Sequence, residues 1–306
     1  MKATMSKHLI EERLENHILV LDGAMGTMLQ NANLTAEDFG GEEYEGCNEY
    51  LNITRPDAVE SIHRAYLEAG SDVISTNTFG GTPVVLNEYS LGNRAEEINK
   101  RAVEIAKKAA AEFSTPDWPR FVAGSMGPTT KTLSVTGGIT FDELQHDFYV
   151  QAKGLIEGGA DVLLLETSQD MLNVKAGTLG IKQAFDELHK KIPVMISGTI
   201  EPMGTTLAGQ GIEVFYISIE HINPLSVGLN CATGPEFMTD HLRSLSEIAT
   251  SYISCYPNAG LPDEEGHYHE TPESLSKKLA GFADKGWLNL VGGCCGTTPD
   301  HIRAIR

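Results

Sequence analysis

The chain has 306 residues, of which 41% are hydrophobic, and its 23 basic and 42 acidic side chains leave a formal charge of −19. So acidic a surface repels nucleic-acid backbones and anionic lipid, which excludes both as partners. No run approaches the roughly 20 apolar residues that span a bilayer, so a soluble, cytoplasmic protein without membrane contact is expected.

Residues 1–17 carry neither an apolar core nor a small-residue cleavage site, and read as a polar, helical lead-in rather than a signal peptide. After them the chain repeats one unit eight times, a short apolar run followed by an amphipathic stretch. The runs are ILVLDG (18–23), DVISTNT (72–78), FVAGS (121–125), DVLLLET (161–167), PVMISGT (193–199), LSVGLNC (225–231), YISCYPN (252–258) and LNLVGGCC (288–295). Their apolar character is almost continuous, as in parallel strands covered on both faces. The intervening segments carry helix signals. Residues 93–113 place alanine, isoleucine and valine at helical spacing, Thr140 and Glu143 fit a capping box, and Thr271-Pro272 and Thr298-Pro299 put proline just inside a cap. Eight βα units in one chain predict a (β/α)8 TIM barrel forming a single domain over residues 1–306. A doubly wound sheet is the competing architecture, but no GxGxxG turn follows any of the strands. The connections 31–55 and 78–92 are long and should lie at the catalytic mouth, and the short final segment TTPDHIRAIR suggests a module joined to a longer polypeptide.

In a barrel, chemistry gathers at the carboxyl ends of the strands. Here those ends carry Asp22-Gly23, Thr76-Asn77-Thr78, Ser125, Glu166-Thr167, Asn230-Cys231, Asn258 and Cys294-Cys295. Carboxylates placed directly after LVL and DVLLL have no local cation in sequence. Once buried they need a partner, and the cationic group of a ligand would serve.

Three of the five cysteines fall at the same end. Runs six and eight lie about 10 Å apart across the intervening strand, close enough for Cys231, Cys294 and Cys295 to lean around one ion. Neighbouring strand residues face opposite ways, so both members of the Cys294-Cys295 pair can reach it only if Gly292, Gly293 and Gly296 let the backbone turn. Three thiolates with one open position match a catalytic zinc site, and soft sulfur favours zinc over magnesium or calcium. Buried free cysteines in a glycine-rich turn are the other reading of the same residues. Cys47 and Cys255 read as packing residues, and His267 and His269 as part of a solvated loop. A phosphate site at GGCCG is disfavoured by the thiols that would occupy it.

The segments LDGAMGTMLQ, CNEYLNITRPDAVESIHRAYLEAGSDVISTNTFGG, GSMGPTTKTLSVTGG, DVLLLETSQD, GLNCATGPE, YPNAGLP and VGGCCGTTPDHI together resemble the homocysteine-binding (homocysteine S-methyltransferase) domain of cobalamin-dependent methionine synthase. The resemblance runs in order through nearly the whole chain, and the pair GLNC and GGCCG is its most specific part. It implies a (β/α)8 barrel with one zinc on Cys231, Cys294 and Cys295, and the homocysteine thiol in the fourth position. Asp22 and Glu166 are then the candidates for the amino group. The backbone at Gly23-Ala24 and around Ser125 would take the carboxylate, supported by Thr76 and Asn77. Asn230 would orient strand six beside the metal, and Asn258 would fill the open position when substrate is absent. The implied donor is methylcobalamin, bound by another module and loaded from methyltetrahydrofolate by a third, so cobalamin-binding and methyltetrahydrofolate-binding modules are the expected partners. A stand-alone methyltransferase using S-methylmethionine or betaine is the first alternative. A zinc- or redox-sensing barrel, or a phosphate- or flavin-binding barrel, belongs to other classes.

Overall fold

Eight parallel strands follow one another around a ring in the computed structural model, which describes residues 8–306. They are β1 Leu19–Val20, β2 Val73–Ser75, β3 Phe121–Met126, β4 Val162–Ser168, β5 Val194–Gly198, β6 Ser226–Asn230, β7 Tyr252–Tyr256 and β8 Leu290–Val291. Hydrogen-bonded neighbours run β1-β8-β7-β6-β5-β4-β3-β2. The ring closes between β1 and β2 through the Leu21–Val73 bridge. The Asp72 amide donates to the Val20 carbonyl at 2.7 Å, and the Val20 amide donates to Asp72 Oδ2 at 2.8 Å. All eight predicted strands are present, most of them shorter than the apolar run, and the fold is the expected (β/α)8 barrel rather than a doubly wound sheet.

Each strand is followed by a barrel helix: α1 Pro56–Ala69, α2 Ala95–Phe113, α3 Phe141–Gly158, α4 Met171–Leu188, α5 Ile212–Ile219, α6 Pro235–Ile248, α7 Pro272–Ala283 and α8 Pro299–Ile305. The predicted caps hold. Thr140 and Glu143 form the capping box of α3, Thr271 caps α7 by accepting the Ser274 amide, and Thr298 caps α8 with His301 as its partner. The connections 31–55 and 78–92 are compact, built from short helical turns such as Leu51–Thr54 and Pro83–Leu86. They are pinned to each other where Asn52 Nδ2 donates to the Asn77 carbonyl at 2.8 Å and Asn77 Nδ2 donates to the Asn48 carbonyl at 2.7 Å.

Two apolar cores result from the alternation of side chains along each strand. Outward residues such as Val20, Ile74, Val122, Leu163, Ile196, Val227 and Ile253 pack beneath the helices. Inward residues Leu19, Leu21, Val73, Phe121, Val162, Leu164, Met195 and Leu290 fill the barrel axis. Ile10 and Leu14 join this second core from a helix at Leu9–Leu14, so the described part of the lead-in buries an apolar face. The expected lead-in also includes residues 1–7, which lie outside the described residues. Among the described residues, no helix is long and apolar enough to cross a membrane.

Candidate metal centre and substrate pocket

The polar strand ends converge at one mouth. The sulfurs of Cys231, Cys294 and Cys295 all lie within 4.8 Å of one another, with Cys231 and Cys295 3.7 Å apart. A tetrahedral zinc with Zn–S bonds of about 2.3 Å sets its sulfurs about 3.8 Å apart, which the Cys231–Cys295 edge matches. Cys47 and Cys255 lie apart from this cluster and are buried in apolar cores.

The route by which the chain reaches this geometry differs in part from the sequence expectation. Strand β8 ends at Val291 and β6 at Asn230, so the three cysteines sit in the turns just past the strands, where strand alternation no longer constrains them. Of the three glycines around the pair, only Gly296 has a left-handed backbone, at φ 79°. Gly292 and Gly293 are instead sites of close approach. A Cβ on Gly292 would stand 2.8 Å from Leu21 Cβ, and one on Gly293 2.5 Å from the Thr297 side chain. Cys231 and Ala232 are also left-handed, at φ 60° and 57°, and this kink swings Cys231 toward the β8 turn. That turn is tied down by the Cys294 amide donating to the Pro257 carbonyl at 2.8 Å and the Ala259 amide donating to the Cys295 carbonyl at 2.9 Å. Thr297 Oγ1 donates to the Cys294 carbonyl at 2.7 Å and accepts from the Ala24 amide at 3.2 Å.

Three thiols this close cannot all ionise at ordinary cost. Donation from Cys231, then from Cys294, lowers the Cys295 thiol to about 3. Cys231 is drawn down by Cys294, but Cys295 and burial override that and push it up to about 12. Hydrogen bonding to Cys231, then to Cys295, and then burial hold the Cys294 thiol well above its ordinary value. A divalent cation would relieve this frustration by stabilising all three thiolates.

Asn230 is fully buried and makes hydrogen bonds to two neighbouring strands. Its Oδ1 accepts from Ser197 Oγ at 2.7 Å and from the Thr167 amide at 3.0 Å, while Nδ2 donates to Thr167 Oγ1 at 2.7 Å and lies 3.8 Å from Cys294 Sγ. One buried amide therefore links β4, β5 and β6 to the β8 turn. Asn258 is buried nearby with Oδ1 unpartnered.

Asp22 and Glu166 are buried at the same mouth, and no lysine or arginine pairs with either among the described residues. Burial pushes Asp22 up to about 8 against the Ser75 amide, which donates to its Oδ2 at 2.8 Å. Burial pushes Glu166 up to about 7 against hydrogen bonding, chiefly from Ser125 Oγ, which donates to its Oε1 at 2.5 Å. Thr76 and Asn77 also lie here, but their side chains serve neighbours. Thr76 Oγ1 pairs with Thr78 Oγ1 at 2.6 Å and accepts the Ser125 amide at 3.0 Å, and Asn77 holds the loops described above.

Sequence reasoning missed three aromatic groups of the mouth. Tyr66 donates to the carbonyls of Ala24 and Thr297, each at 3.2 Å, so β1, α1 and the β8 turn meet at one hydroxyl. Tyr268 packs on Gly296, where a Cβ would stand 2.3 Å from its ring. Tyr256 ends β7 with its hydroxyl buried and unpartnered. Tyr66 lies within a helical apolar pattern, Tyr256 opens the YPNAGLP segment whose asparagine drew the attention, and Tyr268 carries no motif, so spacing alone could not mark them. His267 and His269 are exposed as expected, and His269 Nε2 lies 2.6 Å from Asp263 Oδ2.

A parallel barrel thus carries at its carboxyl mouth three cysteines that could hold one metal ion and two buried acids without a lysine or arginine partner among the described residues. The homocysteine S-methyltransferase family matches residues 19–306, and the chain belongs to that family. Its structure resembles the homocysteine methyltransferase MmuM of Escherichia coli. The metallated form has 22% identity and a TM-score of 0.78, covering 96% of this chain and 97% of that one. The oxidised form gives 21% and 0.78, with 97% of each chain covered. The apo form gives 21% and 0.71, covering 98% and 97%.

Proposed function

We propose that this chain binds zinc through Cys231, Cys294 and Cys295 and transfers a methyl group to the sulfur of homocysteine, giving methionine. The observation that carries this reading is the sulfur triangle with its 3.7 Å edge at the barrel mouth. Zinc, when bound, supplies Lewis acidity that lowers the pKa of the substrate thiol from about 8.5, so that a thiolate is available at neutral pH. The chain's own residues do the rest. Asp22 and Glu166 ionise to hold the substrate ammonium, releasing their protons to solvent. Gly23-Ala24 faces the carboxylate, the Ala24 amide exchanging Thr297 Oγ1 for it. Ser125 orients Glu166, and Thr76 and Asn77 brace that wall. Asn230 sets the Cys294 turn, and Asn258 offers its free Oδ1 to the open position when substrate is absent. The sulfur then attacks the methyl carbon in line. The S–C bond forms as the bond between methyl and its carrier breaks, and that bonding pair leaves with the carrier.

The donor in this reading is methylcobalamin, presented by a cobalamin-binding module and loaded from a methyltetrahydrofolate-binding module, with residues 1–306 acting as one barrel module in the cytoplasm. The segments GSMGPTTKTLSVT and YPNAGLP support it, and five free cysteines suit a reducing compartment. A second reading, direct transfer from S-methylmethionine or betaine, is favoured by the near-complete coverage of the E. coli enzyme's own chain.

The test is methyl transfer to homocysteine from methylcobalamin, S-methylmethionine and betaine in turn, beside a zinc measurement. One zinc per chain and turnover with methylcobalamin are expected. Activity confined to S-methylmethionine or betaine overturns the donor. Zinc retained in full after replacing Cys231, Cys294 or Cys295 with alanine overturns the centre.

A further inference from the structure

We propose that Tyr256 is a positioning residue for homocysteine, its hydroxyl set to hydrogen-bond Glu166 when that carboxylate takes up the substrate's ammonium group; this rests on the homocysteine reading above. Tyr256 is the last residue of β7, paired in register with Asn230 of β6, and its side chain belongs to the core inside the barrel. It is only 4% exposed, and no group meets its hydroxyl in full hydrogen-bonding geometry, although Ser197 and Glu166 lie close enough to interact with it. A buried hydroxyl without a partner destabilises the fold that contains it, and phenylalanine would fill the same space without that cost. The hydroxyl is therefore matched to a state of the site other than the empty one.

Its neighbours identify that state. Ser197, close by, already gives its hydroxyl to Asn230 Oδ1 at 2.7 Å. Glu166 accepts Ser125 at Oε1 only, which leaves the second carboxylate oxygen without a donor. Tyr256 lies near enough to Glu166 to favour its ionised form. In the empty pocket Glu166 is readily protonated and gains little from another donor. When an ammonium group arrives, the carboxyl releases its proton to solvent and becomes a stronger acceptor, and the Tyr256 hydroxyl can close on it. Tyr256 would thus act through Glu166 and distinguish ligands that carry an amino group from those that do not.

The test compares wild type with Tyr256→Phe, both zinc-loaded, by calorimetric titration with homocysteine and with 4-mercaptobutanoate, which keeps the thiol and carboxylate but lacks the amino group. The expected result is a homocysteine Kd raised about tenfold, within the range for a lost charge-assisted hydrogen bond. The Kd of 4-mercaptobutanoate should move less than twofold, zinc stoichiometry should hold, and KM for homocysteine should rise while kcat changes less than twofold. Adding Tyr256→Phe to Glu166→Gln should weaken homocysteine binding no further than Glu166→Gln alone. Equal weakening of both ligands, an unchanged homocysteine Kd, or lost zinc overturns the role of Tyr256. Wild-type protein that binds no homocysteine overturns the substrate itself, a result distinct from any of these.

Discussion

Asn230 holds Thr167 in a left-handed backbone conformation, its Oδ1 accepting the Thr167 amide at 3.0 Å and its Nδ2 donating to Thr167 Oγ1 at 2.7 Å. At φ 54° a β-branched residue is strained, and such strain persists only where the surroundings impose it. Thr167 immediately follows Glu166, so the amide that fixes the kink also fixes the point from which the carboxylate projects. The same amide lies 3.8 Å from Cys294 Sγ, which couples the carboxylate wall to the metal centre.

Replacing Asn230 with alanine should therefore act on both. Leaving the Thr167 amide and the Ser197 hydroxyl without their acceptor should cost about 2–4 kcal/mol in urea unfolding. Zinc affinity, read by chelator competition, should fall about 10–100-fold through loss of the group beside Cys294. An unchanged zinc affinity would show that the β8 turn holds its shape alone.

The two buried acids give the substrate-free protein a pH dependence of definite sign. Asp22 and Glu166 have folded pKa values raised to about 8 and about 7, above their unfolded values. Such groups bind protons more tightly in the folded state. Their contribution is full below the unfolded pKa, near 4, and is lost as pH rises through 7 and 8. For Glu166 the loss is on the order of 3 kcal/mol. Urea unfolding at pH 5 and pH 8.5 should show wild type losing stability and Glu166→Gln losing less. Parallel losses in the two proteins would contradict the assignment.

Gly296 and Gly281 should respond to alanine in opposite directions. At Gly296 the backbone is left-handed and the new methyl would meet the Tyr268 ring at 2.3 Å, so about 1–3 kcal/mol of stability should be lost and zinc content should fall. At Gly281, within α7, nothing lies within 4 Å of the added carbon, and stability should rise by about 0.5–1 kcal/mol. Thermal unfolding with metal analysis reads both, and equal effects would refute the steric account.

What was legible in the sequence was whatever one strand and its own end determine. The eight runs gave the barrel because doubly covered strands must be apolar throughout, and Asp22, Glu166, Asn230 and Cys231 were visible because each breaks such a run. The cysteine cluster was legible as a coincidence of three strand ends. The left-handed kink at Cys231-Ala232 was not, since neither residue announces a positive φ. Tyr66 was hidden by the helical pattern it shares with Ile62 and Ala69. Tyr256 was hidden because an aromatic residue in a strand ordinarily means packing, and only its orphaned hydroxyl reveals more. Thr76 and Asn77 were legible as polar ends, but their hydrogen bonds to neighbouring loops depend on contacts that no local spacing encodes.

The first and last strands pair side by side, and this orders events during synthesis. Asp22 hangs from β1, Cys294 and Cys295 follow β8, and the Gly293 amide donates to the Asp22 carbonyl at 3.2 Å. A nascent chain that has emerged as far as β7 owns one of the three sulfurs and an open seam. It cannot assemble the centre, whatever its other strands have done. A metal held by the three cysteines would be captured only once the last few dozen residues are made, and a stalled or truncated chain would have no competent thiol trap. The ion would report completion of the barrel rather than guide its folding.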